Sequence, residues 1–233
     1  MYSENSVLIK AIDLNKIYND KRVKVEALKN VSLTIHKGEF IAILGPSGSG
    51  KTTLLNCLAA IDYPTTGEIF FKGIPFQNLK EEERTAFRAK NMGFVFQFFN
   101  LVPVLTVLEN VELPLLILGN KNKGAKEKAY EVLKKLRLES KADRFPYELS
   151  GGEQQRVAIA RAIIHSPEVI WADEPTGNLD SETGEKIIDL LEQIREENGT
   201  TLVIVTHDLN IAKKADRILF IRDGVLKEHF EVG

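Results

Sequence analysis

The sequence predicts an α/β protein: a core built on a mostly parallel sheet, an N-terminal antiparallel β subdomain and an inserted α-helical subdomain. Three patterns predict it. In the first third, Val31, Leu33 and Ile35 alternate with Ser32, Thr34 and His36, the period of a half-covered strand. The runs Phe40-Ile41-Ala42-Ile43-Leu44 and Leu202-Val203-Ile204-Val205 are continuously apolar, as strands covered on both faces are. Between them Ala125, Ala129, Val132, Leu133 and Leu136 sit at helical spacing, with lysines and glutamates filling the outer side. The expected division is 1–90 with 161–233 as core and β subdomain, and 91–160 as the helical insertion.

Along the chain, Val7 to Leu14 and Val23 to Leu28 read as further strands, separated by Asn-Asp and Lys-Gly punctuation. Thr52 to Ala60 follows the first apolar run as a helix. Lys80-Glu81-Glu82-Glu83-Arg84 reads as the solvated face of a helix start. Val157 to Ile164 is a largely apolar helix that must stop before Ser166-Pro167. Val169 to Ala172 is a buried strand, and Glu185 to Arg195 an amphipathic helix closed by Asn198-Gly199. Ile218 to Ile221 and Val225-Leu226 flank Asp223-Gly224, a hairpin turn signal.

Composition excludes several classes. With 233 residues and a net charge of −2, the chain lacks the basic footprint of a bulk nucleic-acid or anionic-membrane binder, so no nucleic-acid partner is expected. Cys57 is the single cysteine, which rules out an internal disulfide or a CxxC zinc site and suits a reducing compartment. The first residues carry no basic stretch followed by an apolar one, so secretion is not expected. The apolar region from Leu101 to Gly119 is interrupted by Glu109, Asn110, Glu112 and two prolines, short of the roughly 20 apolar residues a membrane span needs. A soluble, cytoplasmic protein is expected.

The chemistry starts at Gly45-Pro46-Ser47-Gly48-Ser49-Gly50-Lys51-Thr52, which matches G-x-x-x-x-G-K-[ST] between a buried strand and a helix. Glycines let successive N–H groups curl toward phosphate oxygens at the positive end of the following helix. Lys51 brings a mobile charge for the β- and γ-phosphates, and the Thr52 hydroxyl is a ligand for Mg²⁺. A second apolar strand ends in Asp173 and Glu174, the first a partner for the magnesium, the second aimed at an attacking water. A third ends in His207, at the sheet edge where α/β folds bind ligands. Leu149-Ser150-Gly151-Gly152-Glu153-Gln154-Gln155-Arg156 forms another glycine-bearing helix entrance, with Ser150 and Glu153 spaced as a capping box.

Together these segments resemble the ATP-binding cassette family, from about Leu8 to Val225 and in the family's order, which implies a P-loop NTPase core. Gly45 to Thr52 is similar to Walker A, Val169 to Glu174 to Walker B, and Leu149 to Gln154 to the family signature. Gln97 resembles the Q-loop glutamine, Gly177-Asn178-Leu179-Asp180 the D-loop, His207 the switch histidine, and Tyr18 the aromatic that stacks on adenine. The resemblance implies ATP and Mg²⁺ as cofactors, with Glu174, His207 and Gln97 catalytic and Thr52, Gln97 and Asp173 on the metal. The nucleotide-binding set it implies is Tyr18, Gly45, Pro46, Ser47, Gly48, Ser49, Gly50, Lys51, Thr52 and Thr53. Ser150, Gly151, Gly152, Gln154 and Asp180 join that set. It further implies a homodimer in which each signature closes the other chain's Walker A site, which accounts for the second helix entrance.

Within the family, the segments Phe94 to Leu101, Tyr147 to Arg156 and Ala172 to Asp180 are similar to one branch: the ATPases of lipoprotein-releasing and macrolide-exporting systems and the cell-division FtsE-type protein. The expected function is an ATPase subunit that powers a separate transmembrane permease through ATP-driven dimerisation. The alternative is an FtsE-type ATPase that regulates a membrane partner without moving cargo. The permease is expected to dock beyond Gln97, where Phe98, Phe99, Leu101, Val102 and Val104 cluster, holding the chain on the inner face of the membrane. A GTP switch is a poor reading, because Asn120-Lys121-Asn122-Lys123 lacks the acid of a base-reading N-K-x-D.

Overall fold

The computed structural model describes residues 7–20, 23–120 and 123–227, and the chain forms two compact units, Met1–Thr85 with Thr201–Gly233, and Ala86–Thr200.

In the first unit, β1 (Val7–Asp20) and β2 (Val23–His36) make a long antiparallel ribbon. Both strands run past the expected ends at Leu14 and Leu28, through bulges. Asp13 and Asn30 take left-handed backbone, at φ 52° and 49°. Side chains hold them there: Ser32 Oγ accepts from Asp13 N, and Asn15 Oδ1 from Asn30 N. The chain kinks without leaving the sheet, which is what a bulge does. Beyond β1 lie β4 (Thr66–Phe71) and the short β5 (Ile74–Pro75), in the order β2-β1-β4-β5, all antiparallel.

The same unit holds the parallel strands. The buried β3 (Phe40–Leu44) lies between β8 (Thr201–Thr206) and β9 (Arg217–Arg222), parallel to both. β10 (Val225–Lys227) folds back on β9 through Asp223 and Gly224, both at positive φ as a primed hairpin turn requires. The helix α1 (Lys51–Leu58) follows β3, and the short α7 (Leu209–Ala212) follows β8. Cys57 is buried in α1, and burial pushes its thiol up to about 12, which leaves it no thiolate chemistry at neutral pH.

The helix α2 (Glu81–Asn91) starts at the expected acidic run, but not every residue of that run is solvated. Arg84 is buried: its Nη2 donates to the carbonyls of Phe76 and Leu79, and its guanidinium lies 3.9 Å from the Tyr63 ring centroid. The position reads as charged in sequence and works as a packed, carbonyl-bonded anchor.

The second unit pairs β6 (Met92–Phe96) in parallel with β7 (Val169–Asp173) and surrounds them with helices. These are α3 (Val107–Ile117), α4 (Lys123–Lys135), α5 (Gly151–Ile163) and α6 (Ser181–Asn198). The central α5 packs on β6, α3, α4 and α6, with Val157, Ala158, Ile159 and Ala160 fully buried. α6 ends at Gly199, whose φ of 64° is the left-handed helix stop its position after Asn198 predicted. Among the described residues no helix is long and apolar enough to cross a membrane.

Candidate nucleotide site

The register of the strands sets the geometry. Leu44 on β3 pairs with Thr206 on β8, so Gly45 and His207 leave neighbouring parallel strands at the same sheet edge. In the second unit Phe96 pairs with Asp173, so Gln97 and Glu174 leave β6 and β7 together in the same way. Each pair lies at the carboxyl ends of parallel strands, where ligands of α/β proteins bind.

The loop from Gly45 to Gly50 is shaped for an anion. Gly50 has φ 105°, and a Cβ there would lie 2.4 Å from the Ala27 carbonyl oxygen, so no other residue fits. Among the described residues the amides of Gly48 and Gly50 donate to no backbone acceptor, and the buried Ser49 hydroxyl has no protein partner. The first turn of α1 holds no acidic residue, so its positive end is not neutralised from within the helix. Lys51 is only 7% exposed, and its Nζ donates to the carbonyls of Gly45 (2.9 Å) and Pro46 (3.0 Å). An ammonium held by two carbonyls, beside N–H groups and a hydroxyl awaiting acceptors, matches a polyphosphate.

Tyr18 is 42% exposed on β1, and its hydroxyl donates to Asp62 Oδ2 at 2.8 Å. Burial and the neighbouring carboxylate raise its hydroxyl above the ordinary tyrosine value, while a bond with Thr53 works against them. The structure thus brings Tyr18 beside Thr53, one residue past Walker A.

In the second unit the acids at the end of β7 are half-buried rather than enclosed, and Glu174 stands at φ 47°, a left-handed conformation rare for glutamate. Such outliers cluster at functional sites, where the surroundings hold them. Gln97 meets the segment after them: its Nε2 donates to Asn178 Oδ1 (3.4 Å), and Asn178 Nδ2 donates to the Gln97 carbonyl (2.9 Å). Among the described residues no cluster of three histidine, cysteine or carboxylate side chains could hold a metal by itself. The donors expected for Mg²⁺ (hydroxyl, amide carbonyl, carboxylate) are the hard oxygen types that ion prefers when phosphate supplies the rest.

Ser150 caps α5 as its spacing predicted. Its Oγ accepts from Glu153 N (3.3 Å), while its N–H and hydroxyl donate to Glu153 Oε2. The Ser150 N–H, then its hydroxyl and Lys141, hold the Glu153 carboxyl below the usual range. Ser150 itself is exposed, and Gln154 Nε2 donates to the Leu149 carbonyl. Asp180 caps α6, accepting from Thr183 N at 2.9 Å.

Three supporting residues were not singled out by sequence. Gln155 is wholly buried and its Nε2 donates to the Pro175 carbonyl (2.6 Å) and, more weakly, to that of Phe96, tying the turns after β6 and β7 together. Arg161 donates to the carbonyls of Phe99 and Asn100, which hold left-handed backbone. Asn110 is fully buried and bonds Val102 at both N–H and C=O and the carbonyls of Leu105 and Thr106. The available signal was a polar residue inside an apolar helical run, where it must have partners. Phe98 remains 71% exposed and Val104 78%, while Phe99 is half-buried.

A phosphate loop, a strand-end acid pair and a capped glycine-bearing helix on this fold define a P-loop nucleoside triphosphatase. The family described as ABC transporter matches residues 28–177. The chain is 50% identical over 224 residues to the uncharacterized ABC transporter ATP-binding protein MJ0796 of Methanocaldococcus jannaschii, covering 93% of this chain and 94% of that one. It is 47% identical over 222 residues to the lipoprotein-releasing system ATP-binding protein LolD of Legionella pneumophila, covering 95% and 98%. The dimeric structure of MJ0796 in a post-hydrolysis state, bound to ADP and Pi, superposes with a TM-score of 0.85 at 45% identity, covering 96% of this chain and 100% of that one. The chain belongs to the ABC transporter family, as its ATP-binding and ATP-hydrolysing subunit.

Proposed function

We propose that two copies of this chain close on ATP, the phosphate loop of one facing the Ser150 helix entrance of the other, and that the cycle drives a membrane permease. The observation that carries the nucleotide half is the loop from Gly45 to Lys51, where the Gly48 and Gly50 amides donate to no backbone acceptor, the Ser49 hydroxyl has no protein partner and the Lys51 ammonium is held on two loop carbonyls. Pairing is supported by MJ0796, whose cassette is solved as a dimer.

In this reading Lys51 exchanges its two loop carbonyls for β- and γ-phosphate oxygens. The Gly48 and Gly50 amides take others, Thr53 contributes beside them, and Tyr18 stacks on the adenine. Thr52, Gln97 and Asp173 would hold Mg²⁺, which would supply charge neutralisation on the phosphates. Glu174 orients the attacking water and takes its proton. His207 and Gln97 steady the γ-phosphate and report its loss to the rest of the chain. Ser150 and Gly152 of the twin bring further donors to the spreading charge, and Gly151, Gln154 and Asp180 complete the nucleotide-binding set. The exposed Phe98 and Val104, with Leu101 and Val102, suit an apolar helix of the permease, which holds the chain at the inner face of the membrane.

The test is Glu174→Gln with ATP, followed by light scattering. Turnover falls on the order of 10²–10⁴-fold while ATP binding persists, and the variant accumulates as a dimer. A variant that stays monomeric at saturating MgATP overturns the closing mechanism.

A further inference from the structure

The Tyr18 ring is held at two points by residues that no motif includes. Asp62 sits on the turn leaving α1, its N–H donating to the Asn56 carbonyl. Its Oδ2 accepts from the Tyr18 hydroxyl at 2.8 Å, and its Oδ1 from Lys16 Nζ at 2.6 Å and from Tyr63 N at 2.7 Å. Lys16 Nζ also donates to the Tyr63 carbonyl (2.7 Å) and stands 4.7 Å from the centroid of the Tyr18 ring. Its side chain is only 12% exposed, so this ammonium is fixed in place rather than sampling solvent. One ring face is covered by a cation and the hydroxyl is pinned, while Tyr18 as a whole stays 42% exposed.

We infer that Asp62 and Lys16 are positioning residues for base recognition: they orient the Tyr18 ring before a nucleotide arrives and so set the affinity for its base. The inference rests on the reading of Tyr18 as the adenine-stacking ring. Its physical basis is preorganisation, since a ring already held in the bound orientation loses little freedom on stacking. The triad also joins β1 to the helix that begins at Lys51, which keeps the stacking ring in step with the phosphate loop.

The experiment is isothermal titration of Asp62→Asn, Lys16→Met and Tyr18→Ala, singly and combined, with MgADP and with magnesium pyrophosphate, which has no base. Asp62→Asn and Lys16→Met each weaken ADP about fivefold, the small end of what stacking on an aromatic ring contributes. Pyrophosphate affinity does not move, and in the Tyr18→Ala background neither substitution weakens ADP further. Equal weakening of both ligands, or an unchanged Asp62→Asn effect without the ring, overturns the proposal. If Tyr18→Ala weakens ADP and the other two variants do not, the stacking reading stands and the positioning role falls. If Tyr18→Ala binds ADP like the native chain, the stacking reading itself is wrong and the proposal falls with it. Lys16→Met keeps the aliphatic stem, so it provides the measurement should Asp62→Asn fail to fold.

Discussion

Gln97 and Asn178 hold each other by two hydrogen bonds, side chain to side chain and side chain to backbone, although 81 positions separate them. The glutamine at the end of β6 is thereby fastened to the turn that follows the Walker B acids. A shift in either is felt by the other, which is the physical link that the role proposed for Gln97 at the γ-phosphate requires.

Gly177 keeps that link open. A Cβ there would lie 2.7 Å from Gln97 Nε2, the free end of a flexible side chain, so Gly177→Ala displaces the glutamine rather than the backbone. With Gln97 in its proposed catalytic role, ATPase turnover is expected to fall by up to about 100-fold, since a misplacement of about an ångström can cost that much. The thermal midpoint should stay close to native. Steady-state hydrolysis beside a melting curve checks both.

Asn110 holds the 102–106 loop from inside α3. Asn110→Leu removes four hydrogen bonds and leaves the Val102 N–H and the Leu105 carbonyl without their partner, while the Val102 and Thr106 carbonyls keep bonds from the Leu105 and Asn110 amides; an unsatisfied buried group costs about 1–3 kcal/mol when it finds no water. Relaxation recovers part of this, so a loss of about 3 kcal/mol is expected. Urea unfolding followed by the emission of Trp171, the single tryptophan, measures it.

Ser150 has two separable roles. Ser150→Ala removes the cap of α5 and should cost about 1 kcal/mol of stability. Ser150→Asp keeps a good cap but adds a negative charge where the twin's γ-phosphate is proposed to lie. It should remain stable and lose ATP-driven dimerisation. Chromatography with light scattering, in the Glu174→Gln background, reads the second effect. Dimerisation as strong as in the parent overturns the role of Ser150 across the pair.

His165 gives the fold a pH-sensitive point. Its Nε2 faces the Met92 carbonyl at 3.1 Å, and its buried Nδ1 has no protein partner. Burial pushes its pKa below the ordinary 6.5, so the neutral ring, donating from Nε2, is the folded form. The unfolded chain takes a proton near 6.5 and the folded chain only at lower pH. This contribution is therefore complete above 6.5 and is lost as pH falls through that value toward the folded pKa. The urea midpoint should drop between pH 7.5 and 5.5, and His165→Gln, which can still donate to Met92, should reduce the drop.

Some of the architecture is plain in the residues and some is not. The buried strands and the hairpin at Asp223-Gly224 follow from local pattern, because a continuous apolar run or a positive-φ pair admits few structures. α3 is harder. Its acids and Pro114 break the apolar stretch, yet Thr106 and Glu109 form a capping box that marks its start. The strands run on past the expected ends at Leu14 and Leu28, because the bulges at Asp13 and Asn30 let the ladder continue, which only the partner strand reveals.

The sequence by itself determined the chemistry of this protein. The phosphate loop, the acid pair, the signature helix entrance and the strands that carry them depend on residues adjacent in the chain, and short-range sterics and hydrogen bonding dictate their local form. Tertiary structure alone decided what stands beside them: Asn178 on Gln97, Asp62 on Tyr18 and Lys16, and Gln155 between two turns. These contacts join residues far apart in sequence, and no local pattern encodes a partner that only folding brings within 3 Å or so.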